Sequence, residues 1–249
     1  MNEKLDIFIG THKDFDCKVT NPIYKIISNC ELKNNYNLEC YCDNIGDNIS
    51  KYNPYMNEMT MFFWLYKNYQ IKDYIGFCHY RRYFSFLDNV IDVENILNNN
   101  DIILLEKTKF ICPVYKQYSH CHNLLDLKEL CEIIHKLYPE YDQSCYDVLN
   151  GNELYSCNMF IMKRDDFIKY CDFAFNVFFE FMSNNDYYDI NNIEKHVIEN
   201  SNSYLKTFSP NDTIAYQKRF IGFLSERLFS IFVCHNFKKI YNCDFIFTE

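Results

Sequence analysis

The chain is poor in the two residues that build most phosphate loops and linkers: of 249 residues, only 5 are Gly and 5 are Pro. Neither GxGxxG nor GxxxxGK[ST] occurs, so a cradle of backbone amides is excluded as the main phosphate-binding device. Side chains or helix termini must do that work instead. No Pro/Gly/Ser-rich linker and no internal repeat breaks the chain, and its length fits one large domain. The most apolar late run, Phe220 to Cys234, carries Glu226 and Arg227 at its centre and is too short to span a bilayer. The N-terminal residues lack a basic stretch followed by an apolar one, so no secretory leader is expected. A cytoplasmic protein is expected, at most peripheral at the inner face of a membrane. Basic charge is also short, with 25 Lys and Arg against 34 Asp and Glu and a net charge of -9. That balance argues against a general nucleic-acid binder, which needs a basic face to release counterions.

What the chain does have is aromatic residues, 18% of the total, and 13 cysteines. The cysteine count is odd, the spacing irregular and CxxC absent, so reduced thiols packed as small hydrophobes are expected. Ser119-His120-Cys121-His122 has no second ligand pair to complete a closed zinc site. Apolar residues at 48% and charged residues at 24% are ordinary globular values.

The first half alternates strand-like and helix-like segments. Strands are expected at 5–11, 38–41, 73–78 and 101–105. Asn-Pro start signals predict helices from Asn21-Pro22 and from Asn53-Pro54, the latter running to Asn68, and a short helix covers 92–100. The later half is more helical, at 122–137, 165–182 and 210–234. A strand-like run lies at 154–162, and 239–247 closes the fold. The pattern is α/β, with a mostly parallel sheet covered on both faces. No clean domain boundary is visible along the chain.

Ligands of such sheets sit beyond the carboxyl ends of the strands, which marks Thr11-His12-Lys13, His79-Tyr80-Arg81-Arg82 and Glu106-Lys107. The second of these places two guanidinium groups and an imidazole at the end of a buried strand. Arginine forks suit bidentate binding of phosphate oxygens, and His exchanges protons near neutral pH. An isolated Arg-Arg pair is more often a solvated turn; the strand-end position brings the two readings level. The loop Asp43 to Ser50, with Asn48, is either a connector or a presenter of polar groups to a base or sugar. Glu58 either faces the same cleft or complements a helix dipole. Asp14-Phe15-Asp16 comes too early for a metal clamp and reads as a surface loop, while Asp165-Asp166 reads as helix capping. Asn158, an amide within an apolar strand, is a structural tie or a substrate contact. Arg219, Gly222 and Glu226 share a helix face near Arg227, as an internal ion pair or as catalytic groups.

In this order and spacing these constellations resemble the domain of unknown function 4422, a family of bacterial and viral glycosyltransferase-like proteins of capsular and exopolysaccharide synthesis. The likeness runs through Thr11-His12-Lys13, the 43–50 loop, Asn57-Glu58-Met59-Thr60 and Trp64 to Asn68. It continues through Gly76 to Phe84, Tyr138 to Tyr141, Asn158 to Met162 and Gly222 to Leu228. It implies a GT-A-like fold in one domain, with residues 1–115 as its nucleotide-binding half and 116–249 as its acceptor or sugar half. It also implies transfer of a hexose from a nucleotide-diphosphate sugar, UDP-sugar favoured, to a glycan or lipid-linked glycan. Where that fold commonly ends its third strand in metal-binding aspartates, this chain has His79 to Arg82, so metal-independent transfer with no cofactor is expected. On this reading Thr11, His12, Lys13, Asp43, Asn48 and Ser50 hold the nucleotide, and Arg81 and Arg82 bind the diphosphate. Asn158, Arg219 and Arg227 meet sugar or acceptor, with Glu226, Glu58 and His79 as catalytic groups. The rivals are a non-catalytic nucleotide-sugar or carbohydrate-binding module and a viral transferase acting on nucleic acid.

Overall fold

A computed structural model describes residues 3–89, 92–200 and 213–248. In chain order the strands are β1 (Leu5–Thr11), β2 (Tyr24–Ser28), β3 (Cys40–Cys42), β4 (Tyr74–His79), β5 (Arg82–Phe84), β6 (Ile102–Leu105), β7 (Thr108–Lys109), β8 (Glu153–Leu154), β9 (Phe160–Lys163), β10 (Ile240–Cys243) and β11 (Phe245–Phe247). The helices are α1 (Asn53–Met56), α2 (Met59–Asn68), α3 (Val93–Asn99), α4 (Val114–Cys121), α5 (Leu124–Leu137), α6 (Asp142–Asn150), α7 (Arg164–Asn184), α8 (Ile190–Glu199), α9 (Ile214–Gln217) and α10 (Phe220–Asn236).

The main sheet runs β10-β6-β9-β4-β1-β2-β3. Pairings β1–β2, β1–β4, β2–β3 and β6–β10 are parallel. β9 is antiparallel to both of its neighbours, β4 and β6. β5 folds back on β4 and carries β11 along its edge. The period of two along β1 sends Leu5, Ile7 and Ile9 to one face and Phe8 to the other. The larger core lies on the Phe8 face, under α2, α5, α7 and α10. It absorbs much of the aromatic excess: Phe62 meets Phe77, Phe160, Phe167 and Tyr170 edge-on, at 4.6 to 6.4 Å between ring centres. All thirteen cysteines are free thiols.

Several expected elements come out differently. Asn21-Pro22 opens no helix. The Asn21 side chain accepts from the Ile23 amide in a local turn, and the five-residue run that follows is buried as β2 beside β1. The 53–68 helix is two helices, separated by Asn57 at φ 52°. The 154–162 run splits into β8 and β9 around Cys157 and Asn158, both at positive φ. Asp165 and Asp166 lie in the first turn of α7 and complement its dipole, but the cap residue is Lys163. Of the helix expected at 210–234, residues 210–212 lie outside the described residues and the rest is α9 and α10. Strand 38–41 is realised two residues later, as β3. The 1–115 and 116–249 segments share the sheet, since β9 and β10 come from the second of them.

Opposite the carboxyl edge of the strands, Asp6 is buried and accepts from the Tyr69 hydroxyl at 2.8 Å and the Lys72 ammonium at 3.0 Å. The largely buried Lys25 ammonium stands 3.8 Å away. Removing the carboxylate leaves the Tyr69 hydroxyl and the Lys72 ammonium without their acceptor, while Lys25 keeps its closer partner Glu39. Asp6→Ala is expected to lower unfolding free energy by about 1–3 kcal/mol, read by urea denaturation.

Candidate active site

A cleft of about 640 Å³ opens at the carboxyl edge of β1 and β4. One wall is Gly10, Thr11 and His12 at the end of β1, with His79 to Arg82 at the β4–β5 turn. The facing wall is Asn57 and Glu58 at the α1–α2 break, with Arg219, Gly222, Phe223 and Glu226 on the first two turns of α10. Cys157, from the β8–β9 connection, lies between them.

Cations gather at the mouth. The Arg81 guanidinium lies 5.1 Å from the Tyr80 ring centre and that of Arg82 5.6 Å from Phe247. The Arg219 Nε–H donates to Asn57 Oδ1 at 2.9 Å. Among the described residues none of the three has a carboxylate within ion-pairing distance. Desolvation first, then the charges of Lys13, Arg219 and Arg81, lower the His12 pKa. An imidazole that feels cations from both walls reports one shared positive field.

Carboxylates hold the floor. Glu58 Oε1 accepts from Asn158 Nδ2 at 2.7 Å. Glu226 Oε1 accepts from the Cys157 amide at 2.9 Å, and its Oε2 lies 3.1 Å from Arg227 Nη1. Burial raises the Glu226 pKa; Arg227 and the Cys157 amide oppose that shift, and the neighbouring Glu58 charge adds to it. The His79 Nε2–H donates to the Cys157 carbonyl, which fixes the tautomer and leaves Nδ1 as the open acceptor. Cys157 at φ 72° and Asn158 at φ 48° are strained for residues with a Cβ.

Thr11, His12, His79, Arg81, Arg82, Glu58, Arg219 and Glu226 therefore line one cleft. Other expected site residues lie elsewhere. Lys13 is exposed outside the lining, its ammonium 5.6 Å from the Tyr80 ring. Asp43 is fully buried and accepts from Ser50 Oγ at 2.5 Å and Thr60 Oγ1 at 2.7 Å. Thr60 Oγ1 in turn accepts from Asn53, so Asp43 and Ser50 brace the α1–α2 break from behind. Asn48 closes its own loop on the Asn44 and Gly46 carbonyls. Arg227 is buried against the Phe223 carbonyl, Gln117 and the Tyr118 ring, and reaches the cleft only through Glu226. Asn158 is sealed beneath the floor, at 0% exposure. Lys107, from the third strand-end position, lines a separate cavity beside α6 and α10.

Asn57 and Cys157 are among the lining residues given no role from sequence, as are Asn29 and Tyr216. The signal for Asn57 was its place in a motif directly after a short Asn-Pro helix; Cys157 carried none, because it acts through its backbone. Among the described residues no three His, Cys, Asp or Glu side chains converge to hold a metal. Asp14 is engaged by the amides of Lys33 and Asn34, and Asp16 pairs with Lys18, so this Asp-Phe-Asp does not fit a diphosphate–metal clamp.

The sheet order, its carboxyl-edge cleft and the flanking helices define a GT-A-like fold. The family model described as "Domain of unknown function (DUF4422)" matches residues 6–205, and the chain belongs to that family. Among solved structures it is similar to the apo structure of the bifunctional glycosyltransferase WbbM, with a TM-score of 0.77 and 23% identity. That match covers 99% of this chain and 46% of the other, so the chain spans about half of its structural relative. The mannosyltransferase Ktr4p from S. cerevisiae overlaps at a TM-score of 0.35 and 13% identity, over 68% of this chain and 60% of that one. No curated protein sequence matches. Among the described residues no helix is long and apolar enough to cross a membrane.

Two outcomes test the packing behind the cleft. His122 is buried, its ring 4.3 Å from that of Phe223, and its Nδ1–H donates to Gln217 Oε1 at 2.9 Å. Burial lowers its pKa from 6.5 to about 4. The unfolded ring takes up its proton first as pH falls. The stability held above pH 6.5 is therefore lost through the window down to about 4 and then levels off, a fall of about 3 kcal/mol. NMR titration of the ring and denaturation across that window measure it. At Gly222, a Cβ would stand 1.9 Å from Asn57 Nδ2. Gly222→Ala is expected to displace Asn57 from Arg219 and lower stability by about 1–3 kcal/mol, measured by thermal unfolding.

Proposed function

We propose that the chain is a glycosyltransferase that moves a hexose from a nucleotide-diphosphate sugar, UDP-sugar favoured, to a hydroxyl of a glycan or lipid-linked glycan. The observation that carries this reading is the polarity of the cleft: three guanidinium groups without carboxylate partners among the described residues stand over two carboxylates on its floor. Membership of the family and the GT-A-like fold support it.

On this reading the donor lies across the carboxyl edge of β1 and β4, with Thr11 and His12 toward the nucleotide. Arg81 and Arg82 hold the diphosphate. As the bond between the sugar C1 and the phosphate oxygen breaks, its electron pair leaves with the nucleoside diphosphate, and the guanidinium groups stabilise the growing charge. The acceptor oxygen bonds to C1 and gives its proton to a floor carboxylate. Glu226 suits that role, because burial makes it more basic than an exposed glutamate. Arginines at the place where a metal clamp would stand make the transfer independent of divalent cations. The net charge of -9 belongs to the outer surface and does not describe the cleft.

Nucleotide release from a panel of UDP-hexoses, with purified glycans as acceptors, tests the reading. Arg82→Ala is expected to reduce turnover at least tenfold, since a charge-assisted contact is worth roughly 1.5–3 kcal/mol. EDTA is expected to leave wild-type turnover unchanged. Activity abolished by EDTA and restored by manganese overturns the metal-independent route. Binding of the nucleotide sugar without any release of nucleotide identifies a binding module instead.

A further inference from the structure

We infer that the Cys157–Asn158 kink is the element that positions the candidate catalytic groups of the cleft, and that Asn158 acts through Glu58 without touching sugar. The inference rests on the transferase reading and assigns Asn158 a role different from substrate contact.

Four contacts converge on these two residues. The Cys157 amide donates to Glu226 Oε1 at 2.9 Å, and the Cys157 carbonyl accepts from His79 Nε2. The Asn158 side chain spends both of its N–H bonds, one on Glu58 Oε1 at 2.7 Å and one on Ser225 Oγ at 2.8 Å. Ser225 passes its own proton to the Gly222 carbonyl at 2.7 Å, which ties the junction to the α10 turn that lines the cleft. Two adjacent residues thus reach Glu58, Glu226 and His79 from below, and neither the Asn158 side chain nor its backbone is open to a ligand.

The same two residues carry the local defects. Both backbones are left-handed without being glycine, and Asn158 Oδ1 is buried with no hydrogen-bond partner. Rotating the amide would set its oxygen against the Glu58 carboxylate in place of the N–H that now donates to it, so the observed orientation is the favoured one. A strained backbone and an orphaned buried acceptor coincide at a point touching three candidate chemical groups. Such a coincidence marks a position held for geometry and not for stability. Its chemical effect is definite: Glu58 keeps Oε2 free, His79 keeps Nδ1 free, and Glu226 cannot swing away from the cleft.

The test compares wild type, Asn158→Ala and Asn158→Asp in UDP-hexose turnover across pH, with thermal unfolding measured alongside. Asn158→Ala is expected to lower kcat at least tenfold with donor KM within twofold of wild type, and to shift the pH profile. In Asn158→Asp an ionised carboxylate repels Glu58, whereas the protonated acid donates to it as the amide did. Its activity relative to wild type should therefore rise at least fivefold as pH falls from 8 to 5, which a merely structural residue would not produce. A tenfold rise in donor KM at unchanged kcat makes Asn158 a substrate contact and overturns the inference, as does unchanged turnover in both variants. If Asn158→Ala does not fold, the pH response of Asn158→Asp decides alone. If wild type turns over none of the sugars, the transferase reading fails, and the crystal structure of whichever variant folds decides the positioning. Displaced Glu58 and Glu226 carboxylates support it, and unmoved ones overturn it.

Discussion

The structure depends on one reversal in the sheet. β9 enters between β4 and β6 and runs against both. In a fully parallel sheet the residues before a strand lie at the edge away from the ligand. Because β9 is antiparallel, the residues that lead into it, Cys157 and Asn158, fall at the carboxyl edge beside the end of β4. That placement puts a connection from the second half of the chain against His79 and under the cleft. It also explains why a strand-like run of nine residues breaks there: the chain must turn sharply to enter the sheet in the opposite sense.

Charge is distributed on a similar plan. An acidic protein keeps Arg81, Arg82 and Arg219 in a shared field at the cleft mouth and sets Glu58 and Glu226 beneath them. Guanidinium groups stand on both walls of the cleft, and its lining contains only the glycines Gly10 and Gly222. Where glycine is used in the cleft, it lets elements approach: Gly222 admits Asn57, and Gly10 lies where a Cβ would stand 2.3 Å from the Phe77 ring. The aromatic excess serves the interior, with Phe62 at the centre of a ring cluster beneath β4 and β9.

The class of fold and the position of the cleft were legible in the sequence because both follow from strong local signals. Leu5–Thr11 and Tyr74–His79 are short apolar runs, and the rule that ligands sit beyond strand ends then selects Thr11, His12, Arg81 and Arg82. Arg219 and Glu226 were brought together by helical spacing, and Glu58 by its position just after the Asn53-Pro54 start, although it lies at a helix break and not within a helix. Asp43, Ser50, Asn48 and Arg227 were misplaced for one physical reason: composition shows that a side chain is polar but not which way its backbone aims it. Asp43 points into the protein to meet Thr60, and Arg227 turns from the cleft toward Gln117. The Asn-Pro signal at Asn21 failed because it marks a turn as readily as a helix start, and burial beside β1 decided the outcome. Cys157 was invisible because a main-chain contribution leaves no mark in the side-chain alphabet.

β9 has a last consequence for how the molecule can be divided. Residues 1–115 supply β4 and β6 but not the strand that joins them. Cut there, the first segment keeps two unpaired strand edges facing a gap one strand wide, the kind of edge that recruits other chains. The second segment holds β9 and β10 without their neighbours. The two segments are thus not modules that recombination can exchange freely. A new partner for either half would have to bring a strand of matching register and direction along with its binding groups.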